Sequence, residues 1–183
     1  KDKVALGIII FLILIGSAIR LIGIGKESYW LDESMSVIQA SPNLPVAINN
    51  VANDIHFPLY VVLLHFWIKI FGMSEIATRM MSALFGALAI YVIFVLGKKM
   101  FNAKVGIFAG IMLTFSPVAI YYSQETRLFS LLMLLAMVST YYYVCFMEKP
   151  NLKNSLFYLC FTSLLLYTHA FSLLILLTQN IFY

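Results

Sequence analysis

Along this chain, long apolar runs alternate with short polar ones, and the lengths of the apolar runs set the elements. Residues 4–23 are almost continuously apolar, and about 20 such residues suffice for a helix to cross a hydrocarbon core of roughly 30 Å. The stretch is long for a leader and carries Arg20 at its end, so a retained signal-anchor fits better than a cleaved leader. Further spans are predicted over 78–96, 103–120, 128–146 and 156–167, with a last segment over 170–183. The apolar run 57–72 is ambiguous. At about 24 Å as a helix it is short for a span, and His65, Trp67 and Lys69 fall in its second half. Trp and Lys mark an interfacial helix. Residues 45–55 predict another, with Ile48, Val51, Ala52 and Ile55 on one face and Pro45 in the first turn.

Charge orders these runs across the membrane. Lys98, Lys99 and Lys104 form one basic turn, Lys149 and Lys153 another, and Lys1 and Lys3 a third. The positive-inside rule puts all three in the cytoplasm. An even number of crossings must then separate the N-terminus from the 98–104 turn. The runs 4–23 and 78–96 supply them, so 57–72 lies on the outer surface. A first outer loop over 25–77 therefore holds two juxtamembrane helices. Of the eight acids, Glu27, Asp32, Glu33, Asp54, Glu75 and Glu125 land outside, with all three histidines, Arg79 and Arg127. The chemistry-capable residues gather on one face.

Composition narrows the class. The chain is 62% hydrophobic and 11% charged, which makes it an integral membrane protein in one domain without low-complexity linkers or fixed-period repeats. A net charge of +4 spread along the chain gives no support for nucleic-acid binding. Cys145 and Cys160 sit inside apolar runs without metal-ligand spacing and read as free thiols. The start without Met and the stop at Tyr183 inside an apolar run suit a piece of a longer protein, one expected to be inactive alone.

Asp32 and Glu33 stand beside Tyr29 and Trp30 just after the first span, and ionised groups placed at a membrane surface suggest function. Either could be a general base, but adjacent side chains on a helix diverge. One would face the substrate, and the other would orient backbone or pair with an arginine. Arg79 and Arg127 are membrane-edge guanidiniums suited to bidentate phosphate contact, or else cations snorkelling to headgroups. Arg127 closes the polar run Tyr121-Tyr122-Ser123-Gln124-Glu125-Thr126-Arg127, whose Gln124 and Glu125 are further candidate binding residues. His56 could ligate a metal, donate to a sugar or phosphate, or cap the following helix. His169 is a site residue or a turn residue, and His65 an interfacial packing residue. No Gly-rich phosphate loop or Ser/His/Asp nucleophile set is readable, and no cofactor is implied, with a divalent cation left open. Lacking a nucleotide-binding domain, such an enzyme would use a substrate already in the membrane.

The ordered series Tyr29-Trp30-Leu31-Asp32-Glu33, His56-Phe57-Pro58-Leu59-Tyr60, the 77–86 segment around Arg79, Ser116-Pro117, Tyr122 to Arg127, and Tyr167-Thr168-His169 resembles the dolichyl-phosphate-mannose-protein mannosyltransferase superfamily. The likeness is to its broad prokaryotic branch of GT-C glycosyltransferases, which includes enzymes that decorate lipid A with aminoarabinose or core sugars. The resemblance implies an all-α polytopic fold with juxtamembrane helices in the first outer loop. It implies inverting transfer of a sugar from a polyprenyl phosphate to a hydroxyl or amine of a protein or lipid acceptor, at the outer face of the plasma membrane. It makes Asp32 the base, Arg127 and Arg79 the phosphate holders, and His56 a cavity residue. Phe57 stands where the family commonly has Pro, and Phe129 where it often has Tyr. A transporter or flippase component would carry polar groups at mid-membrane depth and internal repeats, and a non-catalytic scaffold would have no reason to keep Asp32 and Arg127.

Overall fold

The computed structural model describes residues 2–53 and 57–181, and these form ten α-helices without a strand. The first helix, α1 (Asp2–Leu21), ends where Gly23 adopts φ +78°, a left-handed turn open to glycine and closed to most other residues. Three short helices follow in the first loop. They are α2 (Leu31–Ala40), α3 (Leu44–Ala52) and α4 (Pro58–Phe71). The acids Asp32 and Glu33 occupy the first turn of α2, where the helix dipole favours negative charge. Glu33, Val37 and Ala40 make its buried stripe.

In α3 the buried residues are Ala47 and Val51, while Ile48 is 45% exposed. This corrects the expected face. The small Ala47, rather than Ile48, is buried where α3 packs on α2 and α4. Helix α4 has Pro58 in its first turn and stops at Gly72, with φ +85°. Its 14 residues reach about 21 Å, well short of a bilayer core. Its buried face carries Tyr60, Val61, Leu64 and His65. The interfacial role expected of His65 is also corrected. The residue is buried, and its Nδ1 lies 2.8 Å from the Ala40 carbonyl that ends α2. A carbonyl only accepts, so Nδ1 carries the proton.

Helix α5 (Glu75–Met100) is the central element, started by Ser74, whose hydroxyl accepts from the Ala77 N–H. It packs on α1, on α6 (Ala103–Thr114) and on α8 (Phe129–Glu148). Gly97 and Gly106 let α5 and α6 touch backbone to backbone. Beyond α6 comes α7 (Pro117–Ser123), bent from it by 60°. The single straight helix expected over 103–120 is thus broken in two. The cause is Pro117, which has no N–H to donate to the Leu113 carbonyl. Arg20 fills the gap from α1, donating from Nη2 to the Leu113 carbonyl at 3.2 Å and from Nη1 to the Thr114 carbonyl at 3.4 Å.

The bundle closes with α8, α9 (Leu152–Leu166) and α10 (Ser172–Ile181). One core joins Tyr60, Val61, Leu64 and Met81 to Leu131, Leu135 and Leu165, and a smaller one joins Ile9 and Leu12 to Ile90 and Phe94. The stretches Val4–Leu21, Glu75–Met100 and Phe129–Glu148, with the bent pair α6–α7, are long and apolar enough to cross a membrane. The protein is a multi-pass, all-α membrane protein. Lys99 pairs with Glu148, which brings the two basic turns to one end of the bundle. In intact cells, a single cysteine at Lys104→Cys in a Cys145→Ser, Cys160→Ser background should resist a membrane-impermeant maleimide, while one at Glu27→Cys should react. Labelling of position 104 from outside would invert the orientation.

Candidate functional site

Each member of the Asp32-Glu33 pair meets its own arginine. Neighbouring positions on α2 point about 100° apart, so the two carboxylates enter different surroundings. Glu33 turns inward. Its Oε1 accepts from Arg79 Nε at 2.8 Å and its Oε2 from Arg79 Nη2 at 2.6 Å, and both side chains are buried. The Thr126 N–H adds a 2.7 Å bond to Oε1. Burial would raise the Glu33 carboxyl, but the Arg79 guanidinium and the backbone N–H groups of Thr126 and Trp30 outweigh it and hold the group below the usual carboxylate range.

Arg79 is equally engaged. Besides Glu33, Nη1 donates to the carbonyls of Ile24 and Glu27, each at 2.8 Å, and Nη2 to Ser28 at 3.3 Å. A guanidinium has five N–H donors, and these contacts use all of them. The expectation that Arg79 holds a phosphate is therefore revised: the side chain clamps the loop after α1 onto α2. The same geometry argues against Glu33 as a base, because both of its oxygens are occupied.

The 121–127 run explains itself residue by residue. Ser123 Oγ accepts from Arg20 Nε at 3.2 Å. Gln124 Nε2 donates to the carbonyls of Ile19, Arg20 and Ile22 at the end of α1, so its amide nitrogen caps that helix. Thr126 joins Thr78 at 2.8 Å, and Thr78 joins the Tyr29 hydroxyl at the same distance. A Cβ added at Gly86 would come within 2.0 Å of Ser123 Oγ, so only glycine lets α5 pass beneath this turn. Two members of the run keep unpartnered buried atoms, Glu125 at Oε2 and Arg127 at Nε.

Arg127 differs from Arg79 in this respect. Among the described residues its side chain has one ion-pair partner, Asp32, whose Oδ2 lies 3.0 Å from Nη1. The guanidinium stands over the rings of Trp30 and Phe129, 5.8 and 5.6 Å from their centres, within cation–π range. Asp32 is 41% exposed and Arg127 13%. The pair lines a narrow cleft with Ser36, Gln39, Phe57 and Tyr60. Beneath it, the Tyr60 hydroxyl lies 3.0 Å from Ser82 Oγ, which donates to the Arg127 carbonyl at 3.3 Å. Burial raises the Tyr60 phenol, so it stays neutral in this role.

His169 lies one ring away from this pair. Its Nδ1 accepts from the Phe171 N–H at 3.0 Å and its imidazole packs on Phe129 at 6.5 Å between centres. It closes the turn before α10 and buttresses the ring under Arg127. His56 lies outside the described residues. Among the described residues no three His, Cys, Asp or Glu side chains gather as a metal site. Trp30, Tyr60, Ser82 and Phe129 are residues the sequence reading did not assign to the site. Their signal was present, since Trp30 and Tyr60 lie inside the quoted motifs.

The Glu33–Arg79 geometry predicts a stability effect with a definite sign. Glu33→Gln or Arg79→Ala should each destabilise the purified protein by about 3–5 kcal/mol at neutral pH, since each leaves a buried charge without its partner. A carboxyl depressed in the folded state stabilises above its unfolded pKa, and that contribution is lost as pH falls through the folded value. The difference in melting temperature between wild type and Glu33→Gln should therefore narrow on acidification below the usual carboxylate range. Equal melting temperatures at pH 7 would show that the pair holds nothing.

No curated protein and no solved structure matches the chain. A family model does, that of the dolichyl-phosphate-mannose-protein mannosyltransferases, over residues 55–183. The matched stretch contains Arg79, Arg127 and His169 and begins downstream of Asp32. It covers well over half of the sequence, so the chain belongs to the dolichyl-phosphate-mannose-protein mannosyltransferase family, a group of membrane glycosyltransferases of the GT-C type.

Proposed function

We propose that this glycosyltransferase moves a sugar from a polyprenyl-phosphate donor to a hydroxyl or amine of a protein or lipid acceptor, with inversion, at the outer face of the plasma membrane. The observation that carries the reading is the contrast between the two arginines. Arg79 has every N–H engaged, whereas Arg127 has Asp32 as its partner and a buried Nε without one. A phosphate arriving at the membrane edge would find in Arg127 a guanidinium with free donors, steered by the Trp30 and Phe129 rings.

The steps follow from that placement. The phosphate competes with Asp32 for Arg127 and releases the Asp32 carboxylate. Asp32 takes the acceptor proton as the acceptor atom attacks the anomeric carbon from the face opposite the phosphate. The carbon–oxygen bond to phosphate breaks, and its electron pair leaves with the lipid phosphate, whose growing charge Arg127 stabilises.

The broken span α6–α7 resembles the discontinuous helices by which transporters hold ions. Here, however, Arg20 takes the carbonyls that the break frees, which leaves them no ion to coordinate.

In the protein in its native membrane, Asp32→Asn should lose about 10²–10⁴-fold in transfer rate while still binding the lipid-phosphate donor, because Asn keeps the shape and cannot take a proton. Arg127→Ala should weaken donor binding and turnover together, since the phosphate is charged in both ground and transition states. Arg127→Lys should recover part of the loss, as a point charge does not reproduce the fork. Transfer by Asp32→Asn at the wild-type rate would refute the assignment of the base.

A further inference from the structure

A second and larger cavity, about 600 Å³, opens between the loop after α1, the start of α2 and the end of α7. It is separate in its lining from the Asp32–Arg127 cleft, and its walls include Lys26, Glu27, Trp30, Tyr121 and Glu125. Glu125 is only 7% exposed, and its Oε2 has no hydrogen-bond partner. Buried acceptors without partners are rare and call for an explanation. Burial pushes the Glu125 carboxyl above the usual range, the Tyr121 hydroxyl beside it pulls it back, and the Glu33 charge pushes it up again.

The wall chemistry discriminates among ligands. A phosphate would find the Lys26 ammonium, yet Arg79 has no donor left for it and the carboxyls of Glu27 and Glu125 face the same space. An ammonium needs acceptors, yet Lys26 faces the same space. A hydroxyl both donates and accepts, and the cavity offers both kinds of partner: the Lys26 ammonium as a donor, and the Glu27 and Glu125 carboxyls as acceptors. Trp30 and Tyr121, both about half exposed, add flat apolar faces of the kind that pack against ring C–H groups. The volume lies within the range of small-molecule sites.

We infer that this cavity binds a sugar ring, with Glu125 accepting a ring hydroxyl and Trp30 and Tyr121 forming its aromatic walls. The ring belongs either to the lipid-linked donor or to a glycosylated acceptor. Its part in the reaction rests on the transferase reading above, whereas the binding itself does not. Trp30 stands in both settings, since one side of the indole meets Arg127 and the ring also lines the sugar cavity.

The chain has two tryptophans, so Trp67→Phe leaves Trp30 as the sole reporter. Titrating that variant with methyl α-mannoside and methyl α-glucoside should give a saturable change in Trp30 fluorescence with at least one of them. Glu125→Ala and Tyr121→Ala should each weaken it about tenfold or more, and Asp32→Asn should leave it unchanged. Calorimetry on the unaltered chain repeats the measurement should Trp67→Phe fail to fold. Displacement of the glycoside by a polyprenyl-phosphate sugar would assign the ring to the donor, and simultaneous binding would assign it to the acceptor. No saturable response to either glycoside, full binding by Glu125→Ala, or a response to ethylamine in place of the glycosides would overturn the proposal. Glycoside binding with undiminished transfer by Asp32→Asn would sink the transferase mechanism and leave the sugar site standing.

Discussion

The buried Glu33–Arg79 pair ties three separate stretches of backbone to one point: the loop after α1, the first turn of α2, and the turn that follows α7. Such a pair is a weak source of net stability, because removing two charges from water costs about as much as their attraction returns. Its value here is positional. Every N–H of the guanidinium and both oxygens of the carboxylate have partners, so rotating either side chain would break several bonds at once. Asp32, the preceding residue of α2, inherits a fixed place at the rim without being buried itself.

A division of labour follows between chemically identical neighbours. Of two acids and two arginines, Glu33 and Arg79 are saturated and hold the frame, while Asp32 and Arg127 meet at its edge with capacity to spare. The 123–127 turn repeats the pattern. Ser123, Gln124 and Thr126 tie it to α1, α2 and α5, leaving Glu125 and Arg127 as the members with unpartnered atoms. A saturated frame is what lets an unsaturated group remain at a defined position, since each free donor or acceptor would otherwise collapse onto the nearest backbone.

Much of this was legible in the sequence. Apolar run length gave the long helices, the prolines at 45 and 58 and the glycine at 72 marked real starts and stops, and the ordered motifs pointed to the family that the 55–183 match bears out. That one of the two acids would pair with an arginine was also expected. Which arginine it would choose was not readable, because Glu33 and Arg79 are 46 residues apart and only the tertiary fold brings them together. The same holds for Gln124, whose cap on α1 crosses more than a hundred positions. Periodicity erred in α3, where hydrophobicity favoured Ile48 and close helix contact favoured Ala47. It erred again at 103–120, where apolar content is continuous but the backbone is not.

That last break gives the site its shape. Had α6 run straight on, Ser123 to Arg127 would have continued along the span axis. Pro117 denies the Leu113 carbonyl its N–H, and the helix restarts at a 60° angle with Ser116 as its cap. A carbonyl left bare inside an apolar bundle is costly, and the nearest cation that can cover it is Arg20 at the end of α1. Arg20 is itself buried and, among the described residues, has no carboxylate as a partner, so four weak dipoles, three carbonyls and the Ser123 hydroxyl, do the work of one counter-ion. The arrangement is mutual. The break needs a cation, the cation needs acceptors, and satisfying both sets the end of α7 beside the end of α1. Gln124 can then cap α1 and Thr126 can reach Glu33, which places Arg127 beside Asp32.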